Sequence, residues 1–526
     1  MKLIDSNTVN FYPQIVTDYL SGNLKSENIV DWDYSLDQLN VNKNKPFNSK
    51  IRAVVHQAFL NQYSNFELSQ KESRNINLFS KEGTYTITTG HQLILLGGPM
   101  FFYTKIKDVI KLAKQVSTNE NPVLPIFWMA SEDHDYEEIS SVNLFGKKIS
   151  CPGENKGPVG RISKTHFERF LIEVNHILGE GVEFSRIKEI INNAFTSGEN
   201  LSQITRRLVR ELFKEEGLLI LDADTEELKV LFTEIIHKEL FEQLTITSSE
   251  KHINRLKSSY KVQVKPREIN LFYIENGIRK RIVQTNEGFT TSDELLVWTN
   301  QEMKELIKYS PEKISPNVLL RPVYQELLLP NLAYVGGAGE IAYWLELKPV
   351  FNAFKVDFPI PLVRNSYFII SRKNADWLDE NKIGLQTLFN DIDIQVNKLT
   401  KSLSPNILSF EEDFQFLKDF FSRLKLKGIE INPQLEKVVN GEEKRANSAL
   451  KNVEKRFVNA EKKNREQELN KLKNITNKLF PFGKPMERVN SYIPCFAKDP
   501  IGFNKQIDLA PSVFDQKIVF IISSSL

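Results

Sequence analysis

Two polar segments of this chain directly follow runs of β-branched or apolar residues, at points where strands of an α/β sheet would end. The first is residues 88–102, TTGHQLILLGGPMFF, and the second is residues 128–138, WMASEDHDYEE. In open α/β sheets, ligands bind beside the carboxyl ends of the strands. We therefore predict that the two segments form one active site.

The first segment combines glycines with hydrogen-bonding side chains. Glycine lets backbone N–H groups approach a phosphate closely, and the N-terminus of the following helix adds favourable partial charge. The alternative is a tight strand-to-helix turn in which the histidine is satisfied by a carbonyl; the segment is neither a Walker loop nor a GxGxxG fingerprint. The candidate binding residues are Thr89, Gly90, His91, Gln92, Gly97 and Gly98.

The second segment concentrates acids beside an imidazole: Glu132, Asp133, His134 and Asp135. Adjacent carboxylates repel one another, which raises their proton affinity and suits general-base catalysis. We assign these four residues as catalytic candidates against the alternative of an acidic helix N-terminus. No metal is assigned, because no second histidine stands at ligand spacing. Glu137 and Glu138 are interpreted as helix-start or surface charges.

A third segment, residues 315–365, contains a second glycine loop that opens a helix and two arginines. The loop suits an anion, and each arginine could clamp a carboxylate or phosphate, with a buried ion pair as the alternative for each. The candidates are Arg321, Gly336, Gly337, Gly339, Glu340 and Arg364.

The elements that would position these residues alternate as in a parallel sheet with crossover helices. Predicted strands cover 84–89, 122–130 and 218–222, and predicted helices cover 103–116 and 201–216. Residues 151–200 are predicted to be an insertion. Residues 255–300 are predicted to be a β-rich insertion, with an alternating pattern from residue 261 and a hairpin turn at Asn276 and Gly277.

Residues 375–479 have the pattern of an antiparallel helical hairpin. Phe410, Phe414, Leu417, Phe421 and Leu424 form a heptad seam, and after a turn predicted at 428–433 a second helix continues to residue 479, with a phase drift after Asn464. Its charges are mixed in sign, which favours a solvated coiled coil over a nucleic-acid arm. We expect the seam to pack against a second copy. Residues 1–150, 201–374 and 480–526 are assigned to the core.

The composition narrows the class of protein. The 526 residues carry a formal net charge of +2, so no global field attracts nucleic acid or an anionic membrane. Two cysteines do not form a disulfide framework. No secretory signal or membrane-span pattern is seen, and we expect a cytoplasmic protein.

Three strings, at residues 88–114, 125–139 and 315–344, resemble the bacillithiol-biosynthesis cysteine-adding enzymes, and the order of parts agrees along nearly the whole chain. His91 departs from the glutamine common in that family. The resemblance implies a Rossmann-like core of nucleotidyltransferase type, connecting-peptide insertions and a coiled-coil homodimer. It also implies a cysteine ligase that joins the cysteine carboxyl to the amine of glucosaminyl malate, as the last step of bacillithiol biosynthesis.

Amide formation from a free carboxylate requires an activated acyl group, so we expect ATP or another nucleotide. In this scheme Gly90, His91, Gln92 and the second glycine loop hold phosphates or the developing oxyanion, and Asp133 or His134 accepts the proton of the attacking ammonium. Arg321 or Arg364 would recognise the malate carboxylates. The alternatives are a nucleotidyltransferase acting on a small metabolite and a nucleotide-binding coiled-coil scaffold without catalysis.

Overall fold

The structure is a computed structural model that describes residues 1–275, 277–404 and 409–523. The chain divides into two compact units. The first joins Met1–Phe368 to Glu487–Ile521, and the second is built on Ile369–Met486. The second unit therefore extends beyond the 375–479 hairpin range at both ends.

Strands and helices alternate through the first unit, and helices dominate the second. The strands are β1 Lys2–Asp5, β2 Tyr85–His91, β3 Val123–Met129, β4 Ser141–Leu144, β5 Lys147–Ser150, β6 Leu219–Asp222, β7 Leu271–Glu275, β8 Ile278–Gln284, β9 Gly288–Thr291, β10 Val297–Thr299, β11 Ile314–Pro316, β12 Asn331–Gly336, β13 Ile360–Val363, β14 Ser366–Ser371 and β15 Lys517–Ser523. The α-helices are α1 Gln14–Leu20, α2 Asn23–Ser26, α3 Leu36–Asn42, α4 Ser49–Tyr63, α5 Gln70–Phe79, α6 Met100–Val116, α7 Tyr136–Ile139, α8 Glu168–Leu178, α9 Val182–Ser197, α10 Leu201–Phe213, α11 Glu226–Glu242, α12 Leu244–Lys257, α13 Asn300–Tyr309, α14 Leu320–Leu328, α15 Ala338–Glu346, α16 Lys348–Phe354, α17 Arg372–Glu380, α18 Ile392–Leu403, α19 Glu411–Ile431, α20 Leu435–Asn464, α21 Glu466–Leu479, α22 Ile493–Lys498 and α23 Pro500–Asp508.

A five-stranded sheet of order β13-β12-β2-β3-β6 forms the centre of the first unit, and every neighbouring pair in it is parallel. All seven residues of β3 are buried, as expected for a strand covered on both faces by crossover helices. The predicted α/β class is confirmed.

The strand order reverses at β2. The chain passes from β2 through α6 to β3 and β6 on one side, and it later adds β12 and β13 on the other side. Connections that leave in opposite directions open a crevice at the carboxyl ends of the two central strands. All three polar segments of the sequence reach this edge.

A second five-stranded sheet, of order β10-β9-β8-β7-β11, is antiparallel. The predicted hairpin is present, with Gly277 at φ +74°, whereas Asn276 lies outside the described residues. The predicted start of the β pattern at residue 261 is wrong, since the first strand begins at Leu271. Gln263 and Val264 donate their backbone N–H groups to the Glu346 carboxylate, at 2.8 and 3.1 Å, instead of to a strand.

In the second unit α19 and α20 pack side by side as an antiparallel hairpin. The turn is shorter than predicted: α19 runs through Gly428 to Ile431, and a Cβ at Gly428 would lie only 3.3 Å from the Leu435 Cβ. The single second helix predicted is in fact two helices, since Arg465 leaves helical geometry between α20 and α21. The break falls where the heptad phase drifts.

No helix within the described residues is both long and apolar enough to cross a membrane. Over the same part of the chain, no three His, Cys, Asp or Glu side chains are grouped as metal ligands.

Candidate active site

A cavity of about 460 Å³ lies at the edge where the strand order reverses. Its lining comes from three parts of the chain. The end of β2 and the residue after it supply Gly90, His91 and Gln92, and the loop after β3 supplies Asp133. Helix α14 supplies Arg321, and the N-cap and first turn of α15 supply Gly337, Gly339 and Glu340. Side chains and backbone from all three polar segments therefore share one cavity, which we call the switch cavity.

Asp133 is the carboxylate most strongly held by positive charge in the switch cavity. Its Oδ2 accepts from Arg321 Nη1 and from Gln92 Nε2, each at 3.2 Å, and its Oδ1 lies 3.9 Å from Arg279 Nη1. Burial raises the pKa of Asp133, but the charges of Arg321 and Arg279 and the hydrogen bond from the His134 backbone N–H outweigh it and hold the pKa well below its usual range. Asp133 is therefore an anion at neutral pH.

The other acids of the cluster have different surroundings. Glu132 is buried against Lys229, with which it forms an ion pair, and does not line the cavity. Asp135 caps α7 by accepting from the Glu138 backbone N–H at 3.1 Å. Glu138 lies in the first turn of α7 and is exposed, as interpreted from the sequence, and it also lines the cavity. Partial burial raises its pKa.

His134 faces away from the switch cavity. Its Nδ1 lies 2.8 Å from Arg279 Nη1, and its side chain is 43% exposed. A guanidinium group can only donate, so His134 Nδ1 accepts this hydrogen bond. In this arrangement His134 is held by Arg279 at the rim of a neighbouring cavity.

His91 lines the switch cavity as a neutral ring. Burial and the charge of Lys105 lower the pKa of His91 to about 4. The ring packs against Phe101 and Phe102, with centroids 5.2 and 5.4 Å away, and its Nδ1 lies 2.9 Å from the Gln92 carbonyl oxygen. The ring is thus satisfied by a carbonyl at Nδ1, as in the tight-turn alternative, and His91 brings no charge to the cavity wall.

Three further candidates of the first segment hold the backbone in place. Thr89 Oγ1 donates to the Val335 carbonyl at 2.7 Å, which joins β2 to β12. Gly97 and Gly98 have φ of +78° and +63°, and a Cβ at Gly98 would lie 2.5 Å from Ile94 Cγ2. None of the three lines the cavity, so at these positions the geometry follows the tight-turn alternative.

The second glycine loop already holds a carboxylate. Glu340 accepts from the Gly337 N–H at 2.7 Å, from Tyr334 Oη at 3.0 Å and from Lys105 Nζ at 3.1 Å. Burial raises the pKa of Glu340, but the charge of Lys105 and the hydrogen bond from the Gly337 N–H have the larger effect, so the pKa is lowered overall. Gly336 lies behind this network and does not line the cavity. Lys105 was not identified from the sequence as a residue of the site. The signal that could have identified it is a lysine on the apolar face of a predicted helix.

Arg364 forms a bidentate ion pair with Glu487, at 2.9 and 2.8 Å, and both side chains are buried. Its geometry follows the buried-pair alternative, although the guanidinium still reaches the cavity wall. The neighbouring Arg488 also lines the cavity, and within the described ranges its side chain has no carboxylate partner. No motif in the sequence marks Arg488, because its place depends on the chain returning from the second unit.

Comparisons with known proteins cover nearly the whole chain. Residues 3–365 match the model "Bacillithiol biosynthesis BshC, N-terminal Rossmann-like domain", and residues 367–521 match "Bacillithiol biosynthesis BshC, C-terminal coiled-coil domain". Relatives named "Putative cysteine ligase BshC" include one from Flavobacterium psychrophilum, 38% identical over 92% of both chains, and one from Flavobacterium johnsoniae, 34% identical over 93% of both. A third, from Bacillus cereus, is 26% identical over 90% of this chain and 91% of its own length. The chain therefore belongs to the bacillithiol biosynthesis BshC family.

Proposed function

We propose that this protein is a cysteine ligase that joins the carboxyl of cysteine to the amine of glucosaminyl malate and so completes bacillithiol. Membership of the family and the names of the relatives support the reaction class. The structural observation that carries the proposal is Asp133, an ionised carboxylate beside Arg321 at the strand-order reversal. Such a pair offers one charge for a substrate ammonium and one for a substrate carboxylate.

The buried polar atoms of the cavity support a polar substrate. Arg321 Nε, Arg364 Nε and Gln92 Oε1 are buried and have no hydrogen-bond partner among the described residues. Native proteins rarely leave such groups unsatisfied, because each costs about 1–3 kcal/mol. A ligand that bears both donors and acceptors would satisfy them.

The pKa directions support a division of roles between two acids. Asp133 is too weak a base to take a proton at neutral pH, so its role in the proposal is to bind and orient the amine as an ammonium. Glu138, whose pKa is raised by burial, is the better general base. The proposal thus moves the base from Asp133 or His134 to Glu138.

The carboxyl of cysteine must be activated before an amine can displace one of its oxygens. We propose ATP or another nucleotide as the activator. It would convert the carboxylate of cysteine into an adenylate or an acyl phosphate. Gln92, Arg321 and Arg488 line the cavity with donors that would stabilise the developing oxyanion. No metal is assigned.

Incubation of the purified protein with cysteine, glucosaminyl malate and ATP tests the proposal. The expected thiol product has the summed mass of the two substrates less one water, and mass spectrometry detects it. Absence of that product with every common nucleoside triphosphate would overturn the ligase proposal.

We further propose that the chain forms a homodimer through the second unit. Phe414 and Leu417 of the predicted seam are half-buried within that unit and Phe421 is 8% exposed. A different set of apolar side chains remains outside: Phe416 is 70% exposed and Phe420 is 41% exposed. A second copy of the same face would cover them.

Both cysteines, Cys151 and Cys495, are free thiols in the described structure. Free thiols persist in reducing compartments. We therefore propose a cytoplasmic location for the protein.

A further inference from the structure

A second cavity of about 810 Å³ adjoins the switch cavity, and the two share Asp133, Gln263, Val318 and Arg321. We call it the basic chamber. Apart from the shared Arg321, its cationic lining residues are Lys156, Lys265, Arg267, Arg279, Lys280 and Arg281. The carboxylate in its lining is Asp133, which the cavities share.

Four of these cations have no carboxylate partner within the described residues. Arg279 is held by His134, by the Ser315 hydroxyl and by the Pro316 carbonyl, while Lys280 pairs with Asp293 at 3.1 Å. The side chains without a carboxylate partner are Lys156, Lys265, Arg267 and Arg281. Uncompensated positive charge around a concave surface attracts and retains anions.

The side of the chamber wall that carries Lys156 and Arg279 is held by contacts within the protein. Arg279 donates its backbone N–H to the Lys156 carbonyl at 2.9 Å, and Gly157 packs so closely on Gly277 that a Cβ there would clash with its carbonyl. The Arg279 guanidinium lies 3.9 Å from the centroid of the Phe272 ring. A prearranged wall lowers the entropic cost of binding.

The second glycine loop, by contrast, is a poor place for another anion. The Glu340 carboxylate already accepts the Gly337 N–H, and Lys105 is committed to Glu340 and to the Gly90 carbonyl. A phosphate at this helix N-terminus would meet a like charge. Apart from Arg488, the cations that line the two cavities without a carboxylate partner among the described residues are those of the basic chamber.

We propose that the basic chamber binds a polyphosphate chain. The inference rests on the proposed function for the origin of that chain, since an ATP-dependent ligase requires a triphosphate. A triphosphate carries more negative charge than the two carboxylates of a malyl group, and four cations without partners match the larger charge better. Arginine also binds phosphate oxygens bidentately. The phosphates would then sit beside Asp133 and Arg321, next to the switch cavity.

Titration calorimetry of the full-length protein with inorganic tripolyphosphate tests the site. The double variant Arg267→Glu/Arg281→Glu is compared with Lys148→Glu/Arg169→Glu, which makes the same charge change at exposed positions outside both cavities. We expect the first to weaken binding at least about tenfold and the second to stay near wild type, with affinity falling as salt rises. Equal affinity in the two double variants would overturn the proposal, as would a wild type that binds malate but not tripolyphosphate.

Competition then separates the two sources of a polyphosphate. Displacement of tripolyphosphate by ATP but not by AMP supports the tail of a nucleotide. Failure of ATP to displace it would overturn the nucleotide origin and leave free polyphosphate as the ligand. A protein that binds tripolyphosphate through Arg267 and Arg281 yet forms no amide product would contradict the proposed function and not this site.

Discussion

At the residue scale, acids adjacent in sequence have different environments. Asp133 faces Arg321 in the switch cavity, Glu132 is buried against Lys229, and Asp135 caps a short helix. Their separation follows from the loop after β3, where successive side chains leave the backbone in different directions. The chemistry of the cluster therefore depends on the one acid whose positive partners come from α14 and β8.

Asp133→Asn removes the negative charge and keeps nearly the same shape. We expect kcat/KM for the amide product to fall at least about 100-fold, equivalent to about 2.7 kcal/mol, because the amine loses its ionic partner. Asp135→Asn is the matched control, since asparagine also caps helices and the side chain lies outside the cavity. Product formation by mass spectrometry and the thermal midpoint are measured for both, and equal losses of activity would contradict the assignment.

Glu138→Gln tests the general base through the pH profile. A base must be deprotonated to act, and the pKa of Glu138 is raised, so wild-type kcat/KM should rise with pH through a limb above the ordinary glutamate value of 4.5. We expect the variant to lose that limb and about 10²–10⁴-fold of the rate. Glu137→Gln, on the same short helix, should keep the profile. A limb that survives in Glu138→Gln would show that another group is the base.

At the element scale, local pattern predicted the strands and helices that carry the site, whereas long-range partners decided the rest. The β-branched run at β2 and the apolar run at β3 are local signals, and both strands were found close to their predicted bounds. The irregular segment before Leu271 was missed, because its backbone partner Glu346 lies far along the chain. The site roles of Arg488 and Lys105 also depend on residues far along the chain, and these roles were not identified from the sequence. The three polar segments that line the cavity were identified from it.

Two glycine substitutions should have opposite effects on stability. Gly98→Ala places a Cβ against Ile94 in a backbone with positive φ, and we expect it to lower the free energy of unfolding by about 1–3 kcal/mol or more. Gly339→Ala stands in the first turn of α15 with no atom within 4 Å of its Cβ, and should be neutral or stabilising by up to about 1 kcal/mol. Denaturant unfolding measures both, and similar effects would contradict the turn geometry.

At the scale of the whole molecule, the first unit contains both cavities, and the second offers an apolar face with no described cover. Core-forming side chains of α21, such as Leu472 and Ile475, are buried within the second unit, whereas Phe416 and Phe420 on α19 are not. Catalysis and dimer formation are thus assigned to different units.

The double variant Phe416→Glu/Phe420→Glu should give a monomer, since two charges on the apolar face would be buried without partners in the dimer. Ile172→Glu is the control, because Ile172 is 69% exposed on α8 of the first unit. Light scattering after size-exclusion chromatography measures the mass of each. A double variant that remains a dimer would place the interface elsewhere, and a monomeric wild type would exclude the dimer.

Cysteine that carries ¹⁸O in both carboxyl oxygens tests whether the amide forms through that carboxyl. With glucosaminyl malate and ATP, we expect a thiol product that retains one ¹⁸O, while the other leaves on the phosphate or nucleotide released by activation. A product that retains both ¹⁸O atoms, or no thiol product at all, would contradict amide formation through that carboxyl.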